Sequence, residues 1–164
     1  DLEVANINCP GQIAVSGPRA KILESCSRFQ EKGAKKVVIL KVSGAFHSRF
    51  MKEAKVHLEE YLEKIEFKRP LYPVISNTTA SSIQDPFKIK ENLIEQMTGI
   101  VDWQGCCQHM IKMGIKVFLE VGPGKVLRGL MRRIYPEAKV ITMQDTSSIE
   151  DLRSFLTEEA CHEA

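Results

Sequence analysis

Cysteine pairs of the C-x-x-C type are missing. The odd set Cys9, Cys26, Cys106, Cys107 and Cys161 fits neither a closed disulfide framework nor a zinc site, so a reducing cytosol is the expected compartment. No apolar run approaches membrane-spanning length, and Asp1-Leu2-Glu3-Val4 carries neither the basic start nor the apolar block of a secretion signal. Charge of one sign is lacking too: 23 basic against 21 acidic residues leave +2, too balanced for nucleic acid to be the expected main partner. Internal repeats and low-complexity stretches are absent. No serine stands in a G-x-S-x-G elbow, the setting of a strained nucleophile, and no histidine pairs with another His or with Cys at a metal-ligand spacing.

What is present is a globular composition. The 164 residues, 43% of them hydrophobic, suffice for one domain or two small lobes. Val4 to Cys9 and Gln12 to Ser16 read as strands joined by Pro10-Gly11, a turn pair. Pro18 suits a first helical position, Ile22, Leu23, Cys26 and Phe29 recur at helical spacing, and Gly33 follows as a left-handed cap. Lys36 to Val42 is β-branched and apolar, the pattern of a strand. Strand, strand, helix, strand is the later part of a split βαβ, ferredoxin-like lobe, whose first strand and helix would precede Asp1. The chain also opens without methionine, directly in a strand-like run, and the expectation is a fragment or processed product.

Beyond residue 43 helices and strands alternate, which predicts an α/β core with a mainly parallel sheet. Phe50, Ala54, Leu58, Tyr61, Leu62 and Ile65 form one helical stripe. Leu71 to Ser76 reads as a buried strand, and Asp85-Pro86 as a helix cap and first turn. A helix carrying Trp103, Cys106, Cys107, Met110 and Ile111 stops at Gly114. Lys116 to Val121, a helix with Val126, Leu127, Leu130, Met131 and Ile134 inward, and Lys139 to Met143 complete a strand–helix–strand unit, and Ser148 with Asp151 resembles a capping box.

The candidate chemistry centres on His47, handed over by small residues at a strand end just before a helix. That position suits a general base at a sheet edge, and local sequence alone leaves a helix cap or a core hydrogen bond as the alternative. His57, His109 and His162 read as surface residues. Gly122-Pro123-Gly124-Lys125 lies between strand and helix, where backbone amides could hold an anion; Leu119 and Val126 break the phosphate-loop pattern, and a tight turn is the preferred reading. Arg128, Arg132 and Arg133 are explained by the helix dipole and would also suit an acidic partner protein. Asn6, Asn8 and Gln12 are polar hairpin residues.

Taken together, Asn6-Ile7-Asn8-Cys9-Pro10-Gly11-Gln12, Ser43-Gly44-Ala45-Phe46-His47-Ser48, Pro73-Val74-Ile75-Ser76-Asn77, Val101-Asp102-Trp103 and Glu120 to Leu127 resemble, in order and spacing, the malonyl-CoA:acyl carrier protein transacylase family and its relatives in polyketide synthases. The resemblance implies a Ser–His acyltransferase with a hydrolase-like α/β core and an inserted ferredoxin-like lobe. Residues 1–43 would be the remainder of that lobe and residues 44–164 the C-terminal part of the core. In it His47 matches the catalytic base, Gln96 the residue whose main-chain carbonyl orients the imidazole, and Phe46 the residue that narrows the acyl pocket. Asn8 and Gln12 match the wall for the pantetheine arm.

The implied partners are malonyl-CoA, as a substrate rather than a cofactor, acyl carrier protein, and an N-terminal half bearing the serine elbow, oxyanion donors and carboxylate-binding arginine. Alone, the chain would be an inactive part of an [acyl-carrier-protein] S-malonyltransferase of fatty acid synthesis. The alternatives are a non-catalytic fragment that binds coenzyme A or carrier protein, and the acyltransferase region of a polyketide synthase.

Overall fold

Pro10-Gly11 reverses the chain tightly: Gly11 takes φ 72°, and β1 (Glu3–Cys9) pairs antiparallel with β2 (Gln12–Ser16) through Cys9 opposite Gln12. The computed structural model describes residues 2–150 together with Leu152 and Arg153. It is α/β, and it falls into two compact units, residues 1–106 and 107–164, dividing inside the fourth helix.

In the first unit α1 (Arg19–Glu31) follows the hairpin, with Pro18 one position ahead of its first turn and Gly33 at φ 97° past its end. None of its residues is buried, so the expected packing stripe through Leu23 lies half open to solvent. The expected strand at Lys36 to Val42 does not form. Those residues are irregular, with Val38, Ile39, Leu40 and Val42 all exposed, and the fold begins strand, strand, helix without the fourth element. Propensity gives a strand its composition, but ladder hydrogen bonds need a neighbour, and none is seen for this run among the described residues.

A 3₁₀ turn (Arg49–Met51) leads into α2 (Lys52–Leu62), shorter than the stripe to Ile65 suggested, with Leu62 buried and Tyr61 turned outward. Only Val74–Ser76 of the expected Leu71-to-Ser76 strand is regular (β3), and Leu71 is 91% exposed rather than buried. β3 pairs antiparallel with a strand the sequence did not suggest, β4 (Ser81–Ile83). Asp85 then caps α3 (Pro86–Gln96) as read, its Oδ1 accepting the amides of Phe87 at 2.8 Å and Lys88 at 3.3 Å. α2 and α3 pack on each other, and Lys55 Nζ reaches Glu95 Oε1 at 2.5 Å.

Asp102 starts α4 (Trp103–Lys112) by accepting the Gly105 amide at 2.8 Å on its side chain and the Cys106 amide at 3.0 Å on its carbonyl. Gly105 is required here. A Cβ on it would stand 2.8 Å from the Ala80 methyl and still closer to the Asp102 carboxylate.

In the second unit β5 (Val117–Val121), α5 (Val126–Ile134) and β6 (Lys139–Met143) form the expected strand–helix–strand, with β5 and β6 parallel. Leu130 and Met131 are buried, whereas Val126 and Leu127, expected inward, are exposed in the first turn. Beyond β6 the chain is helical again from residue 147, and Asp145 accepts the Ser148 amide at 3.0 Å in its first turn. The Ser148 and Ser147 hydroxyls donate to Asp145 and hold its carboxyl down at about 2; Asp151 lies outside the described residues. In place of the expected mainly parallel sheet, the described residues form three two-stranded sheets, two antiparallel and β5–β6 parallel.

Candidate active site

His47 lies in a turn just ahead of the 3₁₀ turn and, among the described residues, is one of two non-glycine residues with positive φ, at 56°, a conformation that costs free energy and persists where the surroundings impose it. Both flanks are pinned. Ser48, fully buried, donates its hydroxyl to the Ala45 carbonyl at 2.5 Å, and Arg49 meets Glu3 twice, Nε to Oε1 at 3.1 Å and backbone N–H to Oε2 at 2.9 Å. The start of β1 is thereby tied to the residue two places after the histidine.

The imidazole Nδ1 lies 2.9 Å from the main-chain carbonyl of Gln96, across 49 residues of sequence. A carbonyl can only accept, so Nδ1 carries the hydrogen and Nε2 is the basic nitrogen of the neutral ring. Gln96 closes α3. The amides of Met97, Thr98 and Gly99 turn back onto Ile94 and Glu95, which leaves the Gln96 carbonyl pointing out of the helix end. That end carries the negative pole of the helix, so a carbonyl without formal charge still faces the ring with a favourable field for positive charge.

A cavity of about 240 Å³ adjoins the pair, lined by His47, Leu58, Leu62, Leu93, Gln96 and Met97. Its walls are the facing sides of α2 and α3, apolar except at the imidazole and Gln96. A second space of about 170 Å³ lies behind Gln96, bordered by Asn77, Asn92, Ile83 and Ile89 among others.

Of the residues singled out from sequence, His47 and Gln96 are brought together, and Phe46, Asn8 and Gln12 do not line their cavity. Phe46 is 43% exposed, its ring turned back toward Gly44. Asn8 is half-buried in β1, and Gln12 is exposed, with Oε1 3.7 Å from the Cys9 thiol. Leu58, Leu62, Leu93 and Met97 were missed as cavity walls; the Leu58/Leu62 spacing reads from sequence only as a packing stripe.

The chemistry stops short at the Gly-Pro-Gly turn. Glu120 accepts the Leu127 amide at 2.9 Å and the Arg128 amide at 3.0 Å, so α5 caps itself with a carboxylate where an external anion would have bound. The thiols of Cys106 and Cys107 are buried, and burial, with the nearby Asp102 charge, pushes Cys106 up to about 11, a protonated and unreactive state.

The segments around His47 are also joined to one another. Ile7 and Ala5 of β1 exchange hydrogen bonds with Val101, Asp102 donates to the Asn77 carbonyl, and the Asn77 amide reaches Gln96. No family model matches the chain. A malonyl CoA-acyl carrier protein transacylase of Bacillus subtilis is 42% identical over 159 residues, covering 96% of this chain and 50% of the relative. Over nearly its whole length the chain is similar to malonyl transacylases.

The solved malonyl CoA-acyl carrier protein transacylase of Clostridium perfringens superposes with a TM-score of 0.93 at 32% identity, covering the whole of this chain and 52% of that one. A type II polyketide acyl-carrier protein in complex with its malonyl-transacylase gives 0.86 at 32% identity, covering 90% and 48%. The chain thus spans about half the length of the malonyl transacylases it matches. Among the described residues no helix is long and apolar enough to cross a membrane.

Proposed function

We propose that this chain supplies the base half of a malonyl transacylase, with His47 as the general base and a serine nucleophile on further polypeptide corresponding to the rest of the relatives' length. His47 Nε2 takes the serine proton as the oxygen attacks the malonyl thioester; coenzyme A leaves as thiol with that proton, and malonyl rests as a serine ester. The phosphopantetheine thiol of acyl carrier protein then gives its proton to Nε2, attacks the ester, and returns the serine hydroxyl. No cofactor is needed, and the cytoplasm is the natural setting.

The observation that carries this reading is the Nδ1–carbonyl contact at a strained residue facing a cavity. It fixes the ring tautomer that a Ser–His mechanism needs, with Nε2 basic. The exposed apolar run Val38 to Val42 supports the need for a second polypeptide, because the last strand of a split βαβ lobe hydrogen-bonds to its first, and that first strand would come from the other half.

The test is reconstitution. The chain is mixed with a polypeptide supplying the other half of the Bacillus relative, and malonyl transfer from coenzyme A to carrier protein is measured. Transfer should appear, and His47→Ala should lower it by about 100- to 10,000-fold. Undiminished transfer in that variant removes His47 from the mechanism, and carrier-protein binding without transfer marks a binding module instead.

A further inference from the structure

Asn77 has no part in the reading above, yet it holds both ends of the loop that follows α3. Its side-chain Nδ2 donates to Gln96 Oε1 at 3.2 Å, while its main-chain carbonyl accepts the Asp102 amide at 2.8 Å. The loop 97–102 runs between those two anchors. Asn77 is itself fixed, since Oδ1 lies 3.7 Å from the Cys106 thiol and the same thiol donates to the Ser76 carbonyl at 3.3 Å. The asparagine stands at the end of β3, where the tight β3–β4 hairpin leaves little freedom.

We propose that Asn77 is a positioning residue for His47, locking the Gln96 side chain and closing the loop behind it so that the Gln96 carbonyl keeps its aim at Nδ1. The physical need is plain. Gln96 is the last residue of a helix, where hydrogen bonding weakens and peptide planes tilt toward water, and its outward carbonyl is the group the imidazole depends on. A misplacement of about 1 Å in such a site can cost about 100-fold in rate. The inference rests on His47 being the base, but the geometry it concerns is read without substrate.

Two substitutions isolate the link. Asn77→Asp keeps size, backbone bonds and the acceptor facing Cys106 but has no N–H for Gln96, while Gln96→Ala removes the acceptor and leaves every other bond of Asn77 in place. ¹⁵N-edited imidazole spectra of the full chain, with His47 assigned by its loss in His47→Gln, give the ratio of Nδ1–H to Nε2–H tautomers. Each variant should lower that ratio about fivefold, the scale of one lost hydrogen bond, and the double variant should go little further than either. An unchanged ratio in folded Asn77→Asp or in Gln96→Ala overturns the proposal; if Asn77→Asp does not fold, Gln96→Ala decides alone. Failure of transfer in the reconstituted enzyme with the tautomer shift intact would sink the enzymatic reading and leave the positioning role standing.

Discussion

Two helix ends in this chain offer backbone groups to a partner, and they are used in opposite ways. The N-terminus of α5 is closed by Glu120, seven and eight residues upstream of the amides it accepts, while the C-terminal carbonyl of α3 is taken by an imidazole 49 residues away. A helix end satisfied from its own strand–turn–helix unit needs nothing further. One left open for a side chain held at φ 56° by distant elements has a free-energy cost that local structure does not explain. This contrast separates a cap from a site more sharply than the glycine-rich sequence of the first or the histidine of the second.

The contrast breaks most visibly if His47 and Glu120 are exchanged in importance. His47→Ala should abolish nearly all transfer in the reconstituted enzyme while costing the fold only about 1 kcal/mol, the worth of one hydrogen bond, as measured by urea unfolding. A loss of several kcal/mol there would make His47 a structural residue. Next in size is Gly105→Ala, whose new methyl would crowd Ala80 and drive the Asp102 carboxylate from the α4 cap. We expect about 1–3 kcal/mol of destabilisation and weaker transfer, because Asp102 also anchors Asn77. Glu120→Ala should cost about 1 kcal/mol through the lost cap and leave transfer per folded molecule unchanged. Transfer falling as steeply as for His47→Ala would show that the α5 terminus belongs to the site.

Sequence reading succeeded where the cause is local. Pro10-Gly11, Gly33, Asp85-Pro86 and Gly114 act through their own φ or their own side chains, and each stands where it was read. It failed where pairing or cover comes from far away. Lys36 to Val42 has the composition of a strand without a neighbour, β4 is three weakly apolar residues made into a strand by β3, and Val126 and Leu127 follow a helical stripe into a turn that is left uncovered. The His47–Gln96 pairing is of the second kind. No periodicity links residues so far apart, and it was legible only through likeness to a family, which gave roles to the two residues but none to Asn77 behind them.

The smallest effect probes the buried side of the His47 network. Burial first, and the Asp102 charge second, raise the Cys106 thiol from 9.0 to about 11, and the protonated sulfur is the form that donates to Ser76. Below pH 9 the thiol is protonated in folded and unfolded chains alike, and its contribution is fully present. Between pH 9 and about 11 the unfolded chain ionises first, so the contribution shrinks as pH rises and is lost above the folded value. Melting temperatures at pH 8, 9.5 and 10.5 should fall more steeply for the native chain than for Cys106→Ala, which lacks the group. Because that thiol also faces Asn77 Oδ1, the imidazole tautomer ratio of Cys106→Ala should move in the direction of Asn77→Asp but less far. Parallel pH slopes for the two chains would mean that the sulfur is hydrated and contributes nothing to the scaffold behind the histidine.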